Sequence, residues 1–292
     1  MTAPPASQPL SVQLLAPDAD DWRSVAGAWA SLFSRRPDAS PYLSPIWMQT
    51  WLETYGTALR PELFSASLPG QDLIGACFLT CLTRRQTILP HVRMHLNCDG
   101  EPAGHGVVVQ HNSILASPGR EDDVVHALAR HIVSRRVDEL AASGFDEKGI
   151  HRLISAFPDW IAEVDWREAH YVDLDQLRAT GADHAGSLSR NTREQLRRSL
   201  KLYRERGDLH LEAATTVDQA EAMMNELLAL HETHWQSKGQ GGGFASDWRR
   251  KFHKAYIRTA LPQGAVQLLR VTAGAETIGV LYNLVANGKV NF

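Results

Sequence analysis

The sequence predicts a mixed α/β protein made of two similar units. The chain has 292 residues, of which 43% are hydrophobic, and this length and composition suit two medium globular domains. One order of predicted elements, a strand, two helices and then three strands, occurs in both halves of the chain. The two-unit prediction depends on this repeated order.

In the first half, short apolar runs predict strands, and apolar residues three or four apart predict helices. Asp18 or Asp20 can cap the first helix, and Ser44, which precedes a proline, opens a second helix that ends near Gly56. Strands are expected at 11–15, 62–68, 73–83, 87–90, 106–116, 151–157 and 167–174, and a long helix at 122–142.

In the second half, Thr216 and Gln219 form a capping box, and Ser246 caps the following helix. The triple glycine at 241–243 is interpreted as a mobile link between these helices, and the Asn-Gly pair at 287–288 predicts a type I′ hairpin turn. The expected elements are strands at 210–215, 265–273, 277–286 and 289–292 and helices at 217–238 and 247–261.

The predicted boundaries follow from composition and element order. Residues 1–10, rich in Pro, Ala and Ser, are expected to form a flexible tail. The first domain is expected to span 11–178 and the second 179–292. An odd number of cysteines and the lack of an export signal predict a cytoplasmic protein.

One segment is strongly basic. Residues 187–207 carry seven basic side chains, six of them arginine, against two acids, although the whole chain has a formal net charge of −3. On a helix, five of them form a stripe about 80° wide beside an apolar face: Arg190, Arg193, Arg197, Lys201 and Arg204. Two interpretations stay open: a solvated face that keeps a linker soluble, or a cradle for the phosphates of a nucleotide-linked sugar, a CoA tail or RNA.

Residues on both sides of the predicted boundary resemble a known family. They are Asp173-Leu174, Leu188-Ser189, Asn191, Arg193, Leu196-Arg197-Arg198 and Gly207, followed by His231, Trp235, Phe244 and Phe252. This pattern resembles the FemAB-like and BioF2-like proteins, which have two tandem GNAT acyltransferase domains, and the likeness covers most of residues 20–292. The resemblance implies in each domain a mixed, mostly antiparallel sheet flanked by helices, with a degenerate first copy.

The resemblance also implies an activity. It is N-acyl transfer from acetyl-CoA or another acyl-CoA, without a metal, to a small-molecule or nucleotide-linked amine, for example on a cell-envelope or polysaccharide precursor. Two alternatives stay open: an aminoacyltransferase of the FemX type, which would bind aminoacyl-tRNA, and a non-catalytic module that binds a nucleotide-sugar or a partner protein. No segment is long and apolar enough to predict a membrane span.

Several residues are candidates for the site. Tyr282 is a candidate proton donor to the leaving thiolate, with a core tyrosine as the alternative, and His234 is a candidate general base. Substrate binding is expected from Arg190, Asn191, Arg193, Arg197, Arg198, Trp235 and Asn283. The fourth strand of a GNAT domain offers a backbone N–H to the acyl carbonyl, which implies a cofactor-binding backbone at Val290, Asn291 and Phe292.

The resemblance further implies a pyrophosphate-binding turn and a helix after that fourth strand. The sequence given ends at Phe292, within the predicted strand. We therefore expect a second domain that is truncated before the pyrophosphate loop, and a complete protein with one more helix and two or three more strands.

Overall fold

A computed structural model describes the chain apart from residues 1–9, 16–18, 71, 86–89 and 240–241. Four sequence predictions therefore lie wholly or largely outside the described residues. They are the flexible tail, the Asp18 cap, the strand at 87–90 and the first glycine of the triple-glycine link.

The first half forms one sheet with helices on both faces. Its elements are β1 (Ser11–Leu15), α1 (Ala19–Ser34), α2 (Pro45–Trp51), α3 (Thr57–Leu59), β2 (Glu62–Ser67), β3 (Leu73–Arg85), β4 (Pro90–Leu96), β5 (Leu115–Ala116), α4 (Glu121–Val133), β6 (Glu139–Ala141) and α5 (Glu147–Ala156). The strand order is β1-β2-β3-β4-β6, with β5 paired to β3. Of these pairs, only β4 and β6 run parallel.

The second half forms a separate antiparallel sheet in the order β10-β9-β8-β7. Its elements are α6 (Leu174–Thr180), α7 (His184–Ser187), α8 (Arg190–Arg204), β7 (Leu209–Ala213), α9 (Val217–Gln236), α10 (Asp247–Ala260), β8 (Val266–Ala273), β9 (Glu276–Ala286) and β10 (Lys289–Asn291). Both halves thus follow the predicted order, and the predicted fold class, mixed with mostly antiparallel sheets flanked by helices, is confirmed.

Capping residues and turn residues mark the ends of several of these elements. The Ser44 hydroxyl accepts from the backbone of Trp47 at the start of α2, and Thr216 and Gln219 form the predicted capping box of α9. Asn287 and Gly288 have φ angles of 50° and 72°, as a type I′ turn between β9 and β10 requires.

Four sequence predictions of local structure are wrong. Residues 151–157 belong mostly to helix α5, whose Asp146 cap accepts from the backbone of Gly149 at 2.7 Å. The helix predicted at 122–142 ends at Val133, because residues 139–141 pair with β4 and this pairing overrides local helix preference. The strand predicted at 106–116 is a loop except for β5, and residues 167–173 are extended without a strand partner.

The two halves share one hydrophobic core. The buried Trp47 ring of α2 lies 4.7 Å from the Phe252 ring and 5.1 Å from the Tyr256 ring, both on α10. At the other end of this contact, Tyr55 stacks on Trp248 at 5.3 Å. Because α2 and α10 are the second helix of each unit, equivalent helices form the seam between the halves.

The turn after β9 closes the same seam. The Asn287 amide donates to the Ala39 carbonyl oxygen at 2.9 Å, and the Lys289 ammonium donates to that of Asp38 at 3.2 Å. The sheet of the second half is therefore fastened to the loop between α1 and α2, and we expect the two halves to unfold together.

Trp47→Ala should lower the free energy of unfolding by about 3 to 5 kcal/mol, since it removes a fully buried aromatic side chain at the seam. Denaturant unfolding followed by circular dichroism measures this loss. Val133→Ala, at an exposed position of α4, is the control and should change the free energy by less than about 0.5 kcal/mol. Two separate transitions in the native chain would contradict a shared core.

Candidate functional site

A loop of the first half, residues 99–107, lies against the start of α10. The Tyr55 hydroxyl donates to the carbonyl oxygen of His105 at 2.8 Å. The Nδ1 atom of the same histidine lies 2.9 Å from the Ser246 hydroxyl. Ser246 precedes α10 as predicted, but its side chain contacts this loop instead of capping the helix.

Arg249, in the first turn of α10, fastens the loop from the other side. Its guanidinium donates to the carbonyl oxygen of Gly106 and, at 2.6 Å, to that of Gly243. One side chain thus joins the loop of the first half to the connection between α9 and α10. We call this region, formed by residues 99–107 and 242–249 with Tyr55, the seam site.

Glu101 is one of the three carboxylates of the seam site; the other two, Asp99 and Asp247, are paired with His95 and Arg250. It accepts from the Trp51 indole nitrogen at 2.6 Å, and burial raises the pKa of this half-buried carboxyl, although the Trp51 bond acts in the opposite direction. The loop folds closely around it, since a Cβ at Gly106 would lie 2.7 Å from its Oε2 atom. No lysine, arginine or histidine of the described residues forms an ion pair with Glu101, which leaves a shielded negative charge able to receive a cation.

A histidine–tyrosine pair lies one helical turn further along α10. The His253 Nδ1 atom is 3.1 Å from the Tyr282 hydroxyl on β9. Burial, and to a lesser extent the charge of Arg249, lowers the pKa of His253 to about 3. Burial also raises the pKa of Tyr282 well above its ordinary value. Both side chains are therefore neutral near pH 7, and the pair fixes α10 to the sheet by a hydrogen bond between uncharged groups.

The end of α9 adds a second histidine. The Trp235 indole nitrogen donates to Nε2 of His231 at 2.9 Å, and burial lowers the pKa of His231. The close approach of the next segment requires a glycine, because a Cβ at Gly242 would lie 2.3 Å from the His231 ring. The ring of Phe244 then bridges His231 at 5.1 Å and His253 at 5.4 Å.

The predicted site residues are only partly brought together. Tyr282 and Trp235 belong to the ring cluster just described. His234 is exposed, with its ring edge towards Trp235 at 5.7 Å, and no hydrogen bond or ring contact of the described residues joins it to Tyr282. Asn283 is buried and donates to the Gln267 side chain on β8 at 3.2 Å, on the opposite face of the sheet from Tyr282.

The five predicted substrate-binding residues of the basic segment lie on α8, which has no buried residue. Arg193 donates to the carbonyl oxygen of Gly186 at 3.0 Å, and Arg198 forms an ion pair with Glu194 at 3.4 Å. Arg190 and Asn191 are exposed, as is Arg197. This helix does not line the seam, because aromatic side chains of α2 and α10 fill that position. Substrate binding by α8 stays a prediction.

The backbone predicted to bind the acyl group lies on an edge strand. Val290 pairs with Val285 and Asn291 with Leu284, so β10 uses one of its sides for β9. In the order β10-β9-β8-β7, no described strand pairs with its other side. Peptide groups on that side are free to bind a carbonyl or amide of a ligand.

No motif in the sequence predicts Glu101, His105, Arg249 or His253 as site residues. A glycine- and proline-rich stretch, DGEPAGHG at 99–106, carries two of these residues between predicted strands. Conspicuous loop composition with an acid and a histidine is the signal that could have found them. Arg249 and His253 lie four apart on a predicted helix, which only places them on one face.

The part of the chain from α8 to β10 has known relatives. Residues 190–291 match the family model described as an acetyltransferase (GNAT) domain. We call these residues the GNAT segment. Among curated proteins, none matches the chain.

Solved structures also resemble this chain. A ribosomal-protein-alanine N-acetyltransferase from Brucella melitensis biovar Abortus 2308 is 15% identical, covers 56% of this chain and 99% of its own, and has a TM-score of 0.33. An aminoglycoside acetyltransferase from an uncultured soil metagenomic sample, in complex with sisomicin, is 13% identical, with 56% and 95% covered and a TM-score of 0.32. An aminoglycoside N-acetyltransferase in complex with CoA is 14% identical, with 59% and 99% covered and a TM-score of 0.31. These identities and TM-scores are too low to transfer an activity.

Two further searches of the described residues gave no site. No helix among them has the length and apolar character needed to cross a bilayer. Within the same residues, no group of three or more His, Cys, Asp or Glu side chains is arranged to hold a metal ion.

His253→Gln should flatten the acid side of the stability profile. The histidine has a pKa near 6.5 when unfolded and about 3 when folded. Between these values the unfolded chain binds a proton that the folded chain does not, so the free energy of unfolding falls as pH falls. The native chain should lose up to about 1.4 kcal/mol per pH unit more than the variant in this window. Parallel profiles in denaturant titrations from pH 3 to 6.5 would contradict a buried neutral histidine.

Gly242→Ala should disturb the histidine–tryptophan pair, because the new methyl group overlaps the His231 and Trp235 rings. We expect a loss of about 1 to 3 kcal/mol in unfolding free energy and a shift in tryptophan fluorescence. Gly243→Ala is the matched control, since its Cβ would meet nothing closer than 3.8 Å. Equal effects of the two changes would show that close packing at residue 242 is not required.

Proposed function

We propose that this protein is an N-acyltransferase that transfers an acyl group from acyl-CoA to an amine bound at the seam site. One observation carries the proposal: the GNAT segment covers α8, the β7–β10 sheet and the helices α9 and α10, and among the described strands none pairs with the outer side of the edge strand β10. Acyl transfer needs a group that polarises the thioester carbonyl, and a free strand edge offers backbone N–H groups for it.

The reaction itself needs little side-chain chemistry. The bound ammonium first loses a proton to solvent. The resulting neutral amine attacks the thioester carbonyl carbon, a C–N bond forms and the C–S bond breaks, and the second proton leaves the nitrogen to solvent or to the thiolate. Catalysis comes mainly from holding the two substrates together and from stabilising the carbonyl oxygen. In this proposal the backbone at Val290, Asn291 and Phe292 acts on the acyl group. Tyr282 lies on the neighbouring strand β9. Its bond to His253 holds β9, and with it the paired strand β10, against α10.

The acceptor is proposed to enter as an ammonium group at Glu101. A half-buried carboxylate with no cation partner among the described residues attracts a cationic substrate more strongly than an exposed one, because water screens the charge less. Arg249 links this region to the donor side, since it bonds to the loop next to Glu101 and lies one turn from His253 on α10.

The first half is proposed to support the site without binding acyl-CoA itself. Helix α4 of the first half occupies the place where the resemblance implies a helix that binds the cofactor pyrophosphate. The first turn of α4 carries Glu121, Asp122 and Asp123, of which Glu121 lies 3.4 Å from Arg36 and Asp123 lies 2.7 Å from Arg120. Carboxylates at a helix N-terminus already satisfy its dipole and repel a phosphate. This supports the expectation of a degenerate first copy.

The acceptor class implied by the resemblance is an amine of a cell-envelope or polysaccharide precursor, made in the cytoplasm. The match to the GNAT segment supports acyl transfer but does not distinguish acceptors. A panel of amines that includes amino sugars, nucleotide-linked amino sugars and peptide N-termini therefore tests the finer proposal.

The experiment measures release of free CoA thiol from acetyl-CoA in the presence of each amine, with the acylated amine identified by mass spectrometry. We expect thiol release that depends on one class of amine. Binding of a nucleotide-sugar without any affinity for acetyl-CoA would overturn the proposal in favour of a non-catalytic module. Activity only with aminoacyl-tRNA would overturn it in favour of an aminoacyltransferase.

Glu101→Gln should raise the KM for the amine by about tenfold and leave kcat within about twofold, because it removes a charge that binds both the ammonium of the incoming substrate and the positive charge that develops on the same nitrogen in the transition state. Steady-state kinetics with saturating acetyl-CoA measure both constants. Glu62→Gln, which removes a carboxylate that is paired with Arg135 and lies outside the seam site, is the control for charge. A fall in kcat at unchanged KM would contradict the binding role.

A further inference from the structure

Two exposed surfaces of the chain carry opposite charge. The first is the acidic segment, residues 159–175, which contains six carboxylates and one arginine. The second is α8, residues 190–204, which contains six basic side chains and one carboxylate. The formal charges of the two surfaces are therefore equal and opposite.

The acidic segment exposes apolar side chains together with its charges. Ile161 and Tyr171 are 101% and 87% exposed, and Trp166 is 56% exposed. From 161 to 173 the backbone is neither helical nor paired in a strand. Such a concentration of exposed large apolar residues marks an interaction surface in a globular protein.

Helix α8 has matching features. Leu196 and Leu200 are each 44% exposed, on a helix that has no buried residue. Beside them, Arg197, Lys201 and Arg204 have no hydrogen bond or ion pair with any described side chain, and they line a shallow cavity of about 400 Å³ together with Leu200 and Glu205. The helix thus presents an apolar stripe next to a row of unpaired cations.

We propose that two copies of this chain associate through these surfaces. The acidic segment of one copy binds α8 of the other, and the same contact forms a second time about a twofold axis, because each copy carries both surfaces. A phosphate group or an RNA backbone would neutralise the arginines of α8 but would leave Leu196 and Leu200 uncovered. The acidic segment covers both, since it brings carboxylates and aromatic rings together. Within one chain, no hydrogen bond or ion pair of the described residues joins the two surfaces.

Charge reversal tests the proposal. The basic-reversed variant, Arg197→Glu/Lys201→Glu, and the acid-reversed variant, Glu163→Lys/Glu168→Lys, change exposed side chains without a partner among the described residues. Sedimentation equilibrium of the native chain should give twice the chain mass of 32.4 kDa. Each variant alone should dissociate at least about tenfold more readily, because the net charge of the changed surface falls in size from five to one and its new side chains carry the same sign as the facing surface of the partner copy.

A mixture of the two variants is the decisive measurement. In a mixed pair both contacts are again between opposite charges, so the dimer mass should return. The double variant Arg84→Glu/Arg136→Glu changes the same charge at exposed positions elsewhere and should remain dimeric. Circular dichroism confirms that each variant is folded.

A measurement without mutation protects the test from folding defects. Raising NaCl from about 0.05 M to about 0.5 M should weaken the native dimer at least about tenfold, because salt screens exposed charges. A native chain that stays monomeric, or a mixture of variants that fails to associate, would overturn the proposal. So would a basic-reversed variant that keeps its mass and loses only its affinity for pyrophosphate, which would favour the phosphate interpretation of α8. None of these outcomes depends on acyl transfer.

Discussion

The packing of α2 against α10 is the contact on which the rest of the structure depends. The indole of Trp47 is surrounded by the rings of Tyr42, Phe252, His253 and Tyr256, so residues of both halves fill one apolar space. Burial of large aromatic side chains is among the strongest single contributions to stability. The two sheets therefore share the core at this seam, while the other face of the first sheet packs with α4 around a second core. Neither half can move independently of the other without exposing the shared core.

This contact also explains why the seam site can exist. The loop at 99–107 is held by bonds to Trp51, Tyr55, Ser246 and Arg249, all close to the α2–α10 contact, and by a bond from Ser143 to Asp99. A loop held by rigid helices can present a carboxylate and a histidine in fixed positions. Helix α10 also carries His253, which bonds to Tyr282 in the sheet of the GNAT segment. One helix therefore connects the proposed acceptor side to the proposed donor side.

The sequence predicted what local chemistry controls. The Ser44 cap, the capping box at Thr216 and Gln219, and the Asn287–Gly288 turn each depend on a few neighbouring residues, and all three are confirmed. Helix α5 was predicted as a strand because its short apolar run fits either structure, and only the Asp146 cap distinguishes them.

The seam and its site could not be predicted in the same way. They join residues far apart in the chain, such as Trp51 to Glu101 and Arg249 to Gly106. The density of positive charge suggests a phosphate site at the arginines of α8, but runs of charged residues most often form solvated surfaces. The seam is instead made by aromatic residues, which a sequence pattern assigns to the core without naming their partners.

The two units differ in how completely the faces of their sheets are covered. Both faces of the first sheet carry buried apolar residues, with Val124 and Leu128 of α4 on one side and Trp29 and Trp47 on the other. In the second sheet, Tyr282 and Leu284 face the shared core, whereas Leu281 on the opposite face is 49% exposed. The first unit has thus satisfied both faces of its sheet and the start of its α4 with its own side chains, while in the second unit no described strand pairs with the outer side of β10. A fold in which one unit supplies stability and another keeps backbone groups available can bind a ligand without losing stability at the same place.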